Sequence, residues 1–330
     1  MVTTAPKRVL VTGGSGLVGG AVRAFVEGAG RRAWEGAEFA FLSSADGDLR
    51  DLGQARAAFA RAFDGAPADG VLHLAANVGG LFKNMAQPVA MMVDNLRINA
   101  NVLQAAHEAG VQHALCCLST CIFPDAPPRG YPIAAEDLHA GPPHPSNEGY
   151  AYAKRDLDTL CRAYRRQHGR RYFCAVPTNV YGPGDNFSLR DAHVVPALVH
   201  RAALCAVGGV LAVAGDGTPL RQFVFSEDLG ALLMWAFRHY EDVERPLFLV
   251  PPDAETTIAD VARLVAREFG LAGIACEASG GERNGQAKKT GDAAHLAALP
   301  HGVAFTPLAE GIARTVAWFK AARARGEARV

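Results

Sequence analysis

Apolar runs of strand length alternate with helix-length amphipathic segments through the first half of the chain, and no other feature limits the fold as much. Residues 9–12, 39–42, 71–74, 114–118 and 172–176 are apolar on both faces, the mark of strands buried in a parallel sheet. The stretches 17–28, 52–63, 89–109 and 150–168 carry helical periodicity. This βαβα order predicts an α/β fold with a doubly wound parallel sheet, which takes its ligands at the carboxyl ends of its strands. Two segments interrupt the rhythm. The loop 123–149 holds seven prolines and three glycines, with His139 and His144, and loops of that length are more often functional than idle. The segment 181–221 is glycine-rich and polar, then leads to a predicted helix at 193–206 and a strand at 210–213. Further on, 247–250 is a candidate sixth strand, and helices at 258–269 and 308–324 point to a smaller, discontinuous α/β domain. The expected division is 7–180, with a return segment at about 222–251, for the sheet domain, and 181–221 with 252–326 for a substrate domain.

Composition removes several classes of function. Lysine plus arginine and aspartate plus glutamate both number 33 in 330 residues, and a balanced charge argues against a nucleic-acid or anionic-membrane partner. Seven cysteines, with no CxxC spacing, do not form a disulfide framework. The first seven residues lead straight into a strand, and no apolar stretch reaches the roughly 18 residues of a membrane span, so a reducing cytoplasm is the expected address. The arginine-rich end, from Arg323 to Arg329, reads as a solvated helix face and tail.

A glycine-rich turn follows the first strand and opens the first helix. Gly13, Gly16 and Gly19 give GxxGxxG, with Gly14, Ser15, Leu17 and Val18 between them. One glycine serves the tight turn, one lets backbone approach a pyrophosphate, and one allows close helix packing. That placement predicts a Rossmann-type dinucleotide site. A carboxylate ending the second strand would grip the ribose 2′-hydroxyl of NAD and repel a 2′-phosphate. Here Ser43 and Ser44 stand instead, which favours NADP (NADPH). Asp48 and Leu49, before the second helix, are a plausible adenine contact.

Tyr150 and Lys154 lie four apart at a helix start, so both project from one face. Ser119 ends the fourth strand, where a doubly wound fold presents side chains to its ligand crevice. A phenol can protonate a carbonyl oxygen as hydride arrives, an ammonium favours the phenolate left behind, and the serine hydroxyl bonds the same oxygen. The plainer alternative is a surface tyrosine and lysine at helical spacing.

The segments TGGSGLVG, HLAANVGG, CLSTCIFP, YAYAK, PTNVYGPGDNF, HVVPAL and NGQAKKT, in this order, resemble the GDP-L-fucose synthase branch of the extended short-chain dehydrogenase/reductase family. The resemblance runs from about residue 8 to residue 319. It implies NADPH-dependent 3,5-epimerisation and 4-keto reduction of GDP-4-keto-6-deoxy-D-mannose, and a homodimer, through helices near 89–109 and 150–168. It also turns Cys121 and His193, otherwise a small buried residue and a helix-start histidine, into an acid/base pair. In the same way it adds Leu118, Pro177, Asn179, Val180, His193 and Lys154 to the cofactor site, and Arg201, Arg221 and Asn284 to the GDP-sugar site. Two positions depart from the family: Ala214 stands where tryptophan is common, and Asn284 replaces the usual aspartate. No tight spacing of His139, His144 and Cys121 supports a metal site. Another GDP-4-keto sugar, such as a heptose, and a non-catalytic NADP-binding regulator are the competing readings.

Overall fold

The computed structural model describes residues 6–252, 255–278 and 281–330. Of the first seven residues, 1–5 therefore lie outside the described residues, as do 253–254 and 279–280 of the expected substrate domain. Along the chain run β1 (Arg8–Thr12), α1 (Leu17–Glu27), β2 (Glu38–Leu42), α2 (Leu52–Arg61), β3 (Gly70–His73), α3 (Leu81–Ala86), α4 (Pro88–Glu108) and β4 (His113–Cys117). They continue with α5 (Glu148–His168), β5 (Arg171–Pro177), β6 (Asn179–Tyr181), α6 (Val194–Leu204), β7 (Val210–Val213), β8 (Leu220–Phe225), α7 (Ser226–His239) and β9 (Leu247–Leu249). The last elements are β10 (Glu255–Thr257), α8 (Ile258–Glu268), β11 (Gly273–Cys276), β12 (Lys288–Lys289), α9 (Ala294–Ala297) and α10 (Leu308–Ala324).

Six strands form one parallel sheet in the order β2-β1-β3-β4-β5-β9. The five apolar runs are its first five strands, displaced by at most one residue at each end, and 247–250 is its edge. Sequential strands leave β1 in opposite directions, so a switch point opens between β1 and β3. Helices α2, α4 and α5 cover one face through residues such as Phe59, Val102 and Leu157, and α1 and α7 cover the other through Val22, Leu233 and Phe237. The sequence reading missed α7. It packs so closely on α1 that a Cβ at Gly230 would stand 2.9 Å from the Ala21 backbone.

Pro177 ends the large sheet, and the chain crosses at once into a second one. There β6 pairs with β8, which also carries β10 and β12. The Thr178 hydroxyl and the Asn179 amide both donate to the Gln222 carbonyl, at 2.7 and 2.8 Å, and so fix the crossing. A third core, with Phe187, Leu198, Val261 and Phe319, holds α6, α8 and α10 together beside it. The α10 helix has the bounds predicted, and Arg323, Arg325 and Arg329 are exposed as expected, though two of them also bond distant parts of the chain. Arg323 donates to the Ala203 carbonyl at 3.2 Å, and Arg329 docks on the segment after β6.

Candidate active site

One cavity of about 1020 Å³ runs from the glycine turn, past the ends of β3, β4 and β5, to the second sheet. All the residues singled out in the sequence for cofactor, catalysis and substrate line it except Gly14, which is buried. At its nucleotide end Gly13 adopts φ +70°, and a Cβ there would stand 2.8 Å from the Ala75 backbone; one on Gly14 would stand 2.6 Å from Phe41. The turn is therefore closed against β2 and β3, leaving Gly16 and the first turn of α1, with Leu17 and Val18, facing the cavity. The opening N–H groups of a helix lack intrahelical partners and attract anions, so this cradle fits a dinucleotide pyrophosphate.

The end of β2 is shaped by a local turn. Asp46 accepts from the Ser43 backbone N–H at 2.7 Å and from its hydroxyl at 2.9 Å, and these bonds hold its carboxyl below the usual range. Ser44 is exposed. Asp48 is gripped by the Arg50 guanidinium, with an Nη2 contact of 2.7 Å, and is pushed down to about 2. Its partner also reaches Asp94, at 3.5 Å. Leu118, Pro177, Asn179 and Val180 line the cavity as well.

At the centre, Ser119 follows β4, and its Oγ accepts from the Cys121 N–H at 3.4 Å. That bond caps the 3-10 turn Thr120–Ile122 and sets the buried Cys121 beside the serine. The first turns of α5 bring Tyr150 and Lys154 to the same place. The Lys154 ammonium is buried, donates to the Cys117 carbonyl at 2.8 Å, and lies 5.9 Å from the centroid of the Tyr150 ring. Burial lowers the Lys154 pKa, with the neighbouring thiols opposing the shift. Burial, with Cys121 and Cys117 beside it, raises the Tyr150 phenol well above 10, so the phenol holds its proton in the resting site.

A buried relay fixes α5 against the sheet. The Thr12 hydroxyl accepts from the Leu74 and Ala75 N–H groups at 3.2 Å and donates to His73 Nδ1, 2.8 Å away. This leaves the Nε2–H to donate to Asn99 Oδ1 at 3.1 Å, and Asn99 donates to the Ala153 carbonyl at 3.0 Å, directly before Lys154. Burial, assisted by Lys154, holds His73 at about 3, so the relay stays neutral.

His193 stands at the entry to α6, its ring open to the cavity but deep within protein walls. Burial first, then Lys289 and Lys83, keeps it below the ordinary imidazole value. The same shift favours the neutral imidazole over the cation. Lys289, Lys154 and Arg155 are cations that interact with Cys121, and burial and Arg221 hold the Lys289 ammonium at about 8. Toward the second sheet, Arg221 donates to the carbonyls of Leu220 (2.8 Å) and Gln286 (2.6 Å), and burial lowers it to about 10. Asn284 Oδ1 accepts from the Asp216 N–H at 3.0 Å, while Arg201 and Ala214 line the cavity near it.

The model of the NAD dependent epimerase/dehydratase family matches residues 9–249. The GDP-L-fucose synthase of Dictyostelium discoideum is 41% identical over 319 residues, 96% of each chain. This chain belongs to the GDP-L-fucose synthase family. A crystal structure of a GDP-L-fucose synthetase from Naegleria fowleri bound to NADP superposes with a TM-score of 0.86 at 38% identity, covering 100% of this chain and 97% of that one. Within the fucose synthase family frame, the sequence reading missed Lys289 and the Thr12–His73–Asn99 relay. Lys289 lies in NGQAKKT, but a lysine in a polar run carries no signal of burial. His73 and Asn99 sit 26 residues apart on different elements, so only the fold joins them.

Proposed function

We propose that this chain is a GDP-L-fucose synthase, converting GDP-4-keto-6-deoxy-D-mannose to GDP-L-fucose by inversion at C3 and C5 and reduction at C4. The observation that carries this reading is the opening of two sets of proton-transfer groups onto one cavity: Ser119, Tyr150 and Lys154, and Cys121 with His193. NADPH, when bound in the glycine cradle, supplies the hydride for C4.

Tyr150 donates its phenolic proton to the C4 oxygen. Its raised pKa keeps that proton in place until negative charge develops there, and the Lys154 ammonium favours the phenolate that remains. Ser119 bonds the same oxygen. Together they also stabilise the enolate formed when a proton leaves C3 or C5. Cys121 is the base, and Lys289 is one of the cations that interact with it. His193 returns a proton from the other face of the ring, and its lowered pKa makes the imidazolium, once formed, a ready donor. Arg201 and Arg221 meet the diphosphate, and Asn284 bounds the nucleotide end of the substrate part, which comprises 181–221 and 252–326 beside a cofactor part of 7–180 and about 222–251.

A second copy of the chain pairs across α4 and α5. Val89, Met92 and Val93 on α4, with Phe82 and Met85 on α3, leave apolar side chains exposed there, a surface that association would cover. No helix among the described residues is long and apolar enough to cross a membrane.

The test is NADPH turnover with a panel of GDP-4-keto sugars. GDP-4-keto-6-deoxy-mannose should have the highest kcat/KM. A higher value with a heptose would move the assignment to another sugar, and no turnover with any member would leave a cofactor-binding protein.

A further inference from the structure

The segment between β6 and α6, residues 182–193, carries His193 but belongs to neither a strand nor a helix. The His193 side chain makes no cap hydrogen bond on α6, so the position of its ring follows the backbone that carries it. What holds that backbone comes from the far end of the chain. After α10 the chain turns at Gly326, φ +72°, and comes back to lie parallel beside the segment, with Arg329 bridged to Asn186. The Phe187 N–H donates to the Arg329 carbonyl at 2.7 Å, and Arg329 Nη2 donates to the Gly184 carbonyl. The guanidinium thus stands beside Asp185, a buried carboxyl whose Oδ1 accepts from the Asn186 N–H at 2.7 Å and whose Oδ2 has no hydrogen-bond partner among the described residues. Both Asp185 and Arg329 line the active-site cavity.

The same tail contact is locked from below. Phe187 is fully buried, its ring 4.5 Å from that of Phe319 and 6.0 Å from that of Trp318 on α10, and its carbonyl meets His200 Nδ1 at 2.7 Å. From Phe187 the path to His193 is short: Ala192 N–H donates to the Ser188 carbonyl at 2.9 Å, and Gly80 N–H donates to Asp191 at 2.9 Å. The tail fixes the start of this path and the Gly80 loop its end.

We propose that Arg329 is a positioning residue for His193, the C-terminal tail acting as a strap that sets the backbone from which the imidazole enters the site. This rests on the reading of His193 as a proton-transfer group. Displacing such a group by about 1 Å costs up to about a hundredfold in rate, while Ser119 stands just after β4 and Tyr150 and Lys154 on α5, away from the strap.

The experiment is a double-mutant cycle in the full chain: Arg329→Ala, His193→Ala and the pair, with Arg329→Lys as the conservative variant. Two rates are read: deuterium entry from heavy water into C3 and C5 of GDP-4-keto-6-deoxy-mannose without NADPH, and single-turnover reduction of the ketone. Arg329→Ala should slow exchange by about tenfold or more and reduction by less than about threefold, Arg329→Lys should recover most of the exchange, and Arg329→Ala should have no further effect once His193 is Ala. Asp185→Asn keeps the tail's backbone bonds and should give the same pattern more weakly, so a poorly folding Arg329→Ala does not end the test. Wild-type exchange in Arg329→Ala, or an equal loss of exchange in the His193→Ala background, overturns the strap. Wild-type exchange in His193→Ala overturns the role of His193 and the strap with it.

Discussion

Acid should weaken this fold through two histidines buried in its sheet, and substitutions can isolate the contribution of one. Burial holds His73 and His113 at about 3, whereas an unfolded chain returns each to about 6.5. Between those values the unfolded state binds more protons, so stability falls as pH falls. From about pH 7 to about pH 5 each histidine removes roughly 2 kcal/mol, about 1.5 units at about 1.4 kcal/mol each. Asp185 works in the opposite direction. Its carboxyl, raised by burial to about 7, takes up a proton in the folded state that the unfolded chain refuses until about pH 4, and over the same interval it adds roughly 2 kcal/mol. The wild-type slope is a difference of these terms, so the variants are the clean readout. His113 lies edge-on to Phe237, ring centroids 4.4 Å apart, with Arg171 Nη1 3.0 Å from its Nδ1, and phenylalanine keeps a flat ring of similar size there while removing the titrating group. His113→Phe should shrink the acid loss between the two pH values by about 2 kcal/mol, and Asp185→Asn should enlarge it by about as much. Urea denaturation at both pH values measures each. An unchanged acid loss in His113→Phe would refute the buried neutral imidazole, and an unchanged loss in Asp185→Asn would refute the protonated carboxyl.

Tyr150→Phe should abolish reduction and leave NADPH binding intact, measured by cofactor fluorescence titration, whereas Lys154→Ala should weaken both; near-normal reduction by the phenylalanine variant would remove the tyrosine as donor. NADPH should exceed NADH in kcat/KM, because Ser43 and Ser44 stand where a carboxylate would exclude the 2′-phosphate; equal or better kinetics with NADH would contradict this. Ala214→Trp should lower KM for the GDP-sugar, since a tryptophan can bury roughly 150 to 250 Å² that alanine cannot. A raised or unchanged KM would mean that the pocket is shaped for another group.

The parts of the fold that were legible are those whose signal is local. Strands buried on both faces read as apolar runs, and so β1 to β5 were visible with nothing but hydropathy. The glycine turn was visible because positive φ and close approach both demand glycine at fixed spacing. The second sheet was not, because β6 is three residues long and its partner β8 lies about forty residues further along, so that only tertiary pairing makes either a strand. Its crossing point hangs on Thr178 and Asn179 sharing the Gln222 carbonyl, a bond without a sequence signature. Likewise Tyr150, Lys154 and Ser119 announce themselves by type and spacing, but the charge around Cys121 does not. Lys289 on β12, and Lys154 and Arg155 on α5, reach it from two separate segments, and only the fold brings those segments together.

The division of labour inside the cavity is the central claim, and Cys121→Ser tests it most directly. NMR of the product and of deuterium incorporation from heavy water, with and without NADPH, reads both halves in one sample. If Cys121 is the base, the serine variant should lose exchange at C3 and C5, while Ser119, Tyr150 and Lys154 still reduce C4 to give a 6-deoxy sugar with uninverted centres. Normal exchange at both carbons would contradict the assignment and return Cys121 to a small buried residue of the core.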